Sequence, residues 1–158
     1  QGDYTFHFLK ALARAQEADY EEMLRRSVCV SADVNAALDP TFPEVHDPRN
    51  AARMNCGVCL TKYTGARGKG GTNDASAETL SYVTNVFDNA GVAWQTGELG
   101  KVDQGGGGTI AKFVSNRNVD TVDIGVPMLS MHAPFELVAK QDVLMTYRAF
   151  LAFATAKQ

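Results

Sequence analysis

The sequence predicts a layered α/β fold, and two observations indicate it. Apolar, strand-like runs alternate along the chain with segments whose apolar residues recur at helical spacing, and no internal repeat or low-complexity segment interrupts them. The run 27–34 is apolar nearly throughout, which is typical of central strands covered on both faces. With 158 residues, the chain is long enough for one domain with a real core.

The predicted elements follow one another in chain order. They are a helix over 4–26, strands at 27–34 and 56–64, a helix from Asn73 or Asp74 to about Ala90, a strand at 92–96, a helix over 109–116, a strand at 121–126 and a last helix over 140–156. Asn or Asp caps a helix start and Gly91 ends that helix, because these residues satisfy the free backbone groups at helix ends. The face of the last helix is predicted to be Val143, Tyr147, Phe150, Leu151 and Ala154.

Composition excludes several functional classes. A net charge of −3 and a pI near 5.6 offer no electrostatic basis for binding nucleic acid or an anionic membrane. No apolar run approaches the roughly 20 residues that cross a bilayer, and no signal-peptide pattern opens the chain. The first residue is Gln1, which suggests that further sequence precedes it in the natural protein.

The three cysteines form no disulfide framework, and their odd number favours a reducing compartment, so we expect a cytoplasmic protein. Cys56 and Cys59 have the spacing of half a zinc knuckle, but no second pair completes it. We therefore expect core cysteines.

Two glycine-rich loops invite a nucleotide-binding interpretation, which their spacing disfavours. In the loop that contains Lys69, two residues rather than four separate Gly65 from Gly68, and Gly70 follows the lysine. The loop 105–108 lacks the last glycine of the dinucleotide fingerprint. Two alternatives remain open: backbone N–H groups that bind an anion or a carbonyl oxygen, or flexible surface loops.

Two residues are candidate metal ligands on their own chemistry. Asp33 ends an apolar strand, where ligand sites of α/β sheets gather, although it could equally cap a helix or form a salt bridge. His132 follows another strand, and imidazole is a common zinc ligand, although a lone histidine is more often only hydrogen-bonded. His7 and His46 have no partner at ligand spacing, and we interpret both as structural.

Three blocks resemble the C-terminal part of the catalytic domain of the aspartyl aminopeptidase and vacuolar aminopeptidase I family of dizinc metallo-aminopeptidases. Ser31-Ala-Asp33-Val-Asn-Ala-Ala37, followed by Asp39-Pro40, is similar to the family's Ser-Ala-Asp-x-x-His-Ala-x-x-Pro segment. The run 103–110 is similar to its Asp-x-x-x-Gly-x-Thr-Ile loop. Asp123-Ile-Gly-Val-Pro-Met-Leu-Ser-Met-His132 is similar to its Asp-x-Gly-x-Pro-x-Leu-Ser-Met-His block. The resemblance covers nearly the whole chain.

This resemblance implies a three-layer α/β/α sandwich with a mixed, largely parallel sheet, as in zinc exopeptidases. It also implies that Asp33 binds one of two zinc ions and His132 the other, with Asp123 as a candidate local support. The substrates would be peptides with a free N-terminus, and the protein would be a homo-oligomer. The remaining ligands and the general-base glutamate lie upstream in the family, so we expect this chain to bind zinc poorly and to be inactive alone.

The substrate contacts rest on the two loops. We assign substrate binding to Arg67, Lys69, Gly107, Gly108 and Thr109, with a solvated surface loop as the alternative for the two cations. Ala36 stands where the family usually has a histidine, which puts a preference for N-terminal Asp or Glu in doubt. A second function remains open: a non-catalytic, truncated or degenerate module that acts in assembly or partner binding.

Overall fold

The computed structural model describes residues 3–67, 70–101 and 103–156. Its helices are α1 (Tyr4–Ala15), α2 (Tyr20–Arg25), α3 (Ala77–Asn89), α4 (Ala111–Ser115) and α5 (Lys140–Thr155), with a 3-10 turn at Pro43–Val45. Its strands are β1 (Val28–Ala36), β2 (Val58–Thr61), β3 (Trp94–Thr96), β4 (Asp120–Leu129) and β5 (Leu137–Val138). No helix in the described part of the chain combines the length and apolarity that a bilayer-spanning segment requires.

The strands form one mixed sheet in the order β1-β4-β2-β3, with β5 added to β4. β1 runs parallel to β4 from the pair Val28–Asp120 to the pair Ala36–Met128, and β2 runs parallel to β3. β2 and β5 are both antiparallel to β4. Most paired residues therefore belong to parallel ladders. The mixed sheet and its flanking helices confirm the predicted α/β fold class.

The main hydrophobic core lies between one face of the sheet and helices α3 and α5. Burial of these apolar side chains is the main source of stability for this layer, because it removes their surface from water. The core residues from the sheet are Val58, Leu60, Val122 and Ile124, and those from the helices include Val83, Phe87, Met145 and Ala149.

The opposite face of the sheet is covered at α4. Neighbouring residues of a strand point to opposite faces, so Asp123 lies on the far side from Val122 and Ile124. There the Thr109 hydroxyl donates a hydrogen bond to Asp123, and buried Ala111 begins α4 two residues later. Helices thus lie on both faces, as a three-layer sandwich requires.

The N-terminal helix is two helices rather than the single one predicted from the sequence. Glu17 adopts a left-handed φ of 53°, which ends the helical path just after α1. Asp19 then starts α2, its carboxylate accepting a hydrogen bond from the backbone N–H of Glu22 at 2.7 Å. α1 itself is tied to the chain after α4 by an ion pair of 2.6 Å between Arg117 and Asp3.

The cap of α3 differs from the prediction, whereas its end agrees. Ser76 is the N-cap and accepts a hydrogen bond from the Thr79 N–H at 3.1 Å. Asn73 is instead buried and donates its side-chain amide to the carbonyl of Thr121 at 2.8 Å. Gly91, with a φ of 63°, follows the helix as expected for a glycine stop.

The predicted face of α5 is wrong except at Phe150, which packs against the core. The buried residues of α5 are Asp142, Met145, Thr146 and Ala149, while Val143, Tyr147 and Leu151 are 45%, 64% and 50% exposed. The helix is apolar on two sides, so apolar spacing alone does not choose which side faces the sheet. The anchoring of Asp142 selects the other side.

Asp142 fastens the first turn of α5 to the loop before β2. Its side chain is 0% exposed, and its two carboxylate oxygens accept hydrogen bonds from the backbone N–H groups of Asn55 and Gly57 at 2.6 and 2.7 Å. Hydrogen bonds to a charged acceptor are stronger than neutral ones, and two of them satisfy this buried charge.

We expect Asp142→Ala to lower the free energy of unfolding by about 3 kcal/mol, because it leaves two backbone donors without their acceptor. Urea denaturation followed by circular dichroism measures the change. Asp120→Ala, at an exposed aspartate that begins β4, is the matched control and should change stability by under about 0.5 kcal/mol. Equal losses in the two variants would contradict the role of Asp142.

Candidate metal centre

Asp33 lies on β1, three residues before the strand ends, and its side chain is exposed. Its Oδ1 accepts a hydrogen bond from the backbone N–H of Val34 at 2.8 Å, which restrains the carboxylate close to its own strand. An exposed, restrained carboxylate is suited to bind a cation.

Directly opposite Asp33 in the parallel ladder stands Gly125 of β4. A Cβ atom built on Gly125 would lie 2.0 Å from the carbonyl oxygen of Asp33, a distance that no side chain tolerates. The absence of a side chain at this position therefore allows β4 to approach β1 at the residue that carries the carboxylate.

His132 lies in the tight turn that follows β4, and its side chain is exposed. The turn uses left-handed backbone at Ser130 and His132, with φ values of 59° and 68°. The Glu136 carboxylate accepts a hydrogen bond from the His132 N–H at 2.7 Å and so stabilises this conformation. Sequence reasoning missed this role of Glu136; the signal was an acceptor four residues beyond the histidine.

Parallel strands end at the same edge of a sheet, so the carboxyl ends of β1 and β4 share one edge. Asp33 lies near the end of the first strand and His132 follows the second. Within residues 3–67, 70–101 and 103–156, no three His, Cys, Asp or Glu side chains gather as a set that could hold a metal ion. The donor types fit zinc, but a catalytic zinc usually takes about three protein ligands, and the described residues place one candidate imidazole and one candidate carboxylate at this edge.

Asp123 lies beside this site on the same sheet face as Asp33 and is only 1% exposed. Its Oδ2 accepts a hydrogen bond from the Thr109 hydroxyl at 3.0 Å. Burial raises the pKa of Asp123; the neighbouring hydroxyl groups of Ser31 and Thr109 oppose the rise, and the charge of Asp33 adds to it. Asp123 pairs with Ser31, two residues before Asp33 on the adjacent strand, which places the two carboxylates on one face of the ladder.

The two glycine loops, 65–67 and 105–109, are fastened to each other. The Gly65 N–H donates to the Gly107 carbonyl at 2.7 Å, and the Arg67 N–H donates to the Gly105 carbonyl at 2.9 Å. Gly106 has a φ of 102°, and a Cβ there would lie 2.1 Å from the carbonyl oxygen of Gly65. Of the two interpretations left open, the flexible loop is therefore the weaker one for these residues.

The candidate substrate-binding residues lie on these loops. Gly107 has open space around its α-carbon, and the Lys112 ammonium comes within 3.7 Å of a Cβ built on Gly108. Arg67 is exposed and has a left-handed φ of 52°. The Thr109 hydroxyl is occupied by Asp123. Lys69 lies outside the described residues.

The remaining cysteines and histidines take structural or surface positions. Cys29, Cys56 and Cys59 are all free thiols, and only Cys59 is fully buried, so the prediction of core cysteines is wrong for the exposed Cys56. Burial raises the pKa of Cys59 to about 12; a hydrogen bond with Thr61 opposes the rise and the charge of Glu98 adds to it. His7 is exposed on α1 and His46 is buried.

Comparison with known proteins identifies the family. The family described as Aminopeptidase I zinc metalloprotease (M18) matches residues 1–154. The chain belongs to the M18 family. A probable M18 family aminopeptidase 1 of Thermotoga maritima is 48% identical over 151 residues, which cover 90% of this chain and 34% of that protein.

Solved M18 structures share the fold. The crystal structure of the Thermotoga maritima M18 aminopeptidase superposes with a TM-score of 0.86 at 47% identity, covering 92% of this chain and 34% of that one. Aminopeptidase I from Clostridium acetobutylicum gives a TM-score of 0.89 at 40% identity, covering 99% and 34%. This M18 chain thus spans about a third of the length of these relatives.

We expect Gly125→Ala to destabilise this M18 chain by about 3 kcal/mol, because the new methyl group meets the Asp33 backbone and forces β1 away from β4. Thermal unfolding measures the loss. Gly107→Ala is the control for stability, since nothing lies within 4 Å of its added methyl group. Unfolding temperatures that fall equally for both variants would contradict this account.

Cys59 should resist alkylation in the native protein at pH 8, while Cys56 reacts, because the Cys59 thiol is buried and protonated at that pH. Iodoacetamide labelling and peptide mass spectrometry, with and without urea, measure both sites. The pKa of Cys59 in the folded protein lies above the ordinary thiol value of 9.0. The contribution of the buried, protonated thiol to the free energy of unfolding is therefore complete below pH 9 and is lost as the pH rises toward about 12. Fast native labelling of Cys59 would contradict its burial.

Proposed function

We propose that this chain contributes to the two-metal centre of a zinc-dependent aminopeptidase, with Asp33 binding one ion and His132 the other. The reaction is the removal of N-terminal residues from peptides by metal-activated water. Membership of the M18 family supports the reaction class. The parallel pairing of β1 with β4 is the observation that carries the residue assignment, because it brings the ends of both strands to one edge.

Each residue has a definite task in this proposal. Asp33 supplies an anionic oxygen from a strand that Gly125 holds close to β4. His132 supplies a neutral imidazole nitrogen from a turn that Glu136 stabilises. Bound zinc would polarise the scissile carbonyl and make a water molecule acidic enough to attack it at neutral pH.

The site needs donors from beyond these residues. No set of three ligand side chains gathers in the part of the chain that the structure describes, whereas each catalytic zinc usually takes about three protein ligands. We infer that the other ligands and the general-base glutamate come from outside the 158-residue sequence, and that this chain is inactive by itself.

The partners in this proposal are peptides with a free N-terminus and further copies of the protein. Backbone N–H groups near Gly107 and Gly108 would contact the substrate, and Arg67 would face an acidic side chain if the substrate carries one. A relative from S. cerevisiae is described as a dodecamer, which supports a homo-oligomer here. The three free cysteines support a reducing, cytoplasmic location.

A second candidate function is a non-catalytic module for assembly or partner binding. The incomplete ligand set and the alanine at position 36 favour it. Exposed apolar side chains on α5, among them Tyr147 at 64% exposure, would suit a protein contact. It differs from the first proposal in requiring no zinc.

Zinc titration by calorimetry tests both proposals. For the 158-residue chain we expect weak binding and no hydrolysis of aminoacyl anilides, since it offers one ligand per ion. In the full-length protein, Asp33→Ala and His132→Ala should each lower the bound zinc from two ions to about one and abolish hydrolysis. His7→Ala, at an exposed histidine of α1, is the control and should keep both ions.

Tight, stoichiometric zinc binding with hydrolysis by the 158-residue chain would overturn the proposed incompleteness of the site. A full-length protein that holds no zinc would favour the non-catalytic module.

A further inference from the structure

Asp123 is a buried carboxylate whose surroundings satisfy it only in part. It is 1% exposed, and among the described residues its Oδ1 makes no hydrogen bond of normal geometry. The buried Ser31 hydroxyl on β1 likewise makes no hydrogen bond of normal geometry among the described residues. Ser31 and Asp123 face each other across the β1–β4 ladder. A buried carboxylate is costly unless it is compensated, so a leucine or valine here would suit stability better.

Among the described residues, the side-chain hydrogen bond of Asp123 leads to the glycine-rich loop 105–109. The Thr109 hydroxyl donates to its Oδ2 at 3.0 Å and accepts a hydrogen bond from the Ala111 N–H at 3.3 Å. Thr109 thus joins the end of the loop to β4 on one side and to the start of α4 on the other. A hydrogen bond to a carboxylate is among the stronger kinds available to a hydroxyl group.

The other end of this loop is held by different contacts. The Gly105 N–H donates to the Lys101 carbonyl at 2.8 Å, and the carbonyls of Gly105 and Gly107 accept from the loop 65–67. None of these contacts joins the loop to β1 or β4. Within the described residues, the Asp123–Thr109 hydrogen bond is the side-chain link between the loop and the sheet face that carries Asp33.

We propose that Asp123 is a positioning residue, which through Thr109 holds the loop 105–109 at a fixed place relative to Asp33. This inference rests on the proposed function, since it gives Asp123 a part in presenting the substrate to the metal centre. Asp123 touches neither metal nor substrate. Its effect is on substrate binding, because backbone groups of the loop contact the peptide only when the loop end is held.

The decisive variants change this one hydrogen bond in the full-length, zinc-loaded protein. Thr109→Val keeps the shape of the side chain and removes the hydroxyl; Thr109→Ser keeps the hydroxyl. Asp123→Asn keeps an oxygen that accepts from Thr109 and removes the charge; Asp123→Ala removes both. The matched control is Thr121→Val, on the same strand and sheet face, whose buried hydroxyl bonds to the Val119 carbonyl instead.

Two measurements follow the loop and the substrate separately. Hydrogen exchange with mass spectrometry reports opening of the loop 105–109, and steady-state kinetics report KM and kcat for aminoacyl anilides. For Thr109→Val and Asp123→Ala we expect loop exchange and KM each to rise about tenfold, the scale of one lost charge-assisted hydrogen bond, with the zinc content unchanged. Thr109→Ser should stay within about twofold of the wild type, and Asp123→Asn, which keeps a neutral acceptor, should give values between those of the wild type and Asp123→Ala.

Thr121→Val separates positioning from general stability. It should lower the unfolding temperature as Thr109→Val does and leave loop exchange and KM unchanged. Equal effects of the two threonine variants, or unchanged loop exchange in Thr109→Val, would overturn the proposal. If Asp123→Ala fails to fold, the comparison of Thr109→Val with Thr121→Val still tests the positioning role.

These measurements distinguish a failure of the proposed aminopeptidase function from a failure of the positioning role of Asp123. A wild-type protein that hydrolyses no substrate refutes the aminopeptidase, whereas the loop exchange of the variants still measures the Asp123 link. An active wild type whose Thr109→Val variant keeps its KM refutes the positioning role alone.

Discussion

The pairing of β1 with β4 is the constraint on which the rest of the structure depends. It aligns nine residue pairs, which put Asp33 beside Gly125 and end both strands at one edge. One face of β4 anchors the core under α3 and α5, and the other face carries Asp123 beneath the glycine loop. The same strand then turns into the segment that holds His132. The β1–β4 ladder therefore fixes the positions of the core, the candidate ligands and the loop relative to one another.

Much of the fold could be predicted from the sequence, because the signals were local. Residue pattern alone predicted three features: the strand β4, the helix α3 and the glycine at position 91 that ends this helix. The errors arose where tertiary contacts decide. The left-handed backbone at Glu17 divides the predicted first helix in two. The Asn73 side chain bonds to β4 instead of capping α3. The hydrogen bonds of the buried Asp142 place the other apolar side of α5 against the sheet.

The prediction of the candidate site rests on a different kind of signal. Asp33 and His132 were weak signals singly, and the three-block resemblance joined them; the parallel ladder supplies a physical reason for the association. What sequence reasoning did not reveal are the supporting contacts. Glu136 bonds the backbone of the histidine turn, and Thr109 turns its hydroxyl to a buried carboxylate instead of to solvent. Such roles depend on partners distant in sequence or on unusual backbone, which residue types alone do not report.

The β1–β4 ladder also has a consequence for biosynthesis. The two strands are separated by roughly ninety residues, so β1 leaves the ribosome long before its neighbour exists. For that interval the nine residues of β1 lack the β4 backbone groups to which they bond in the folded chain, and an unpaired strand segment can pair with other polypeptides.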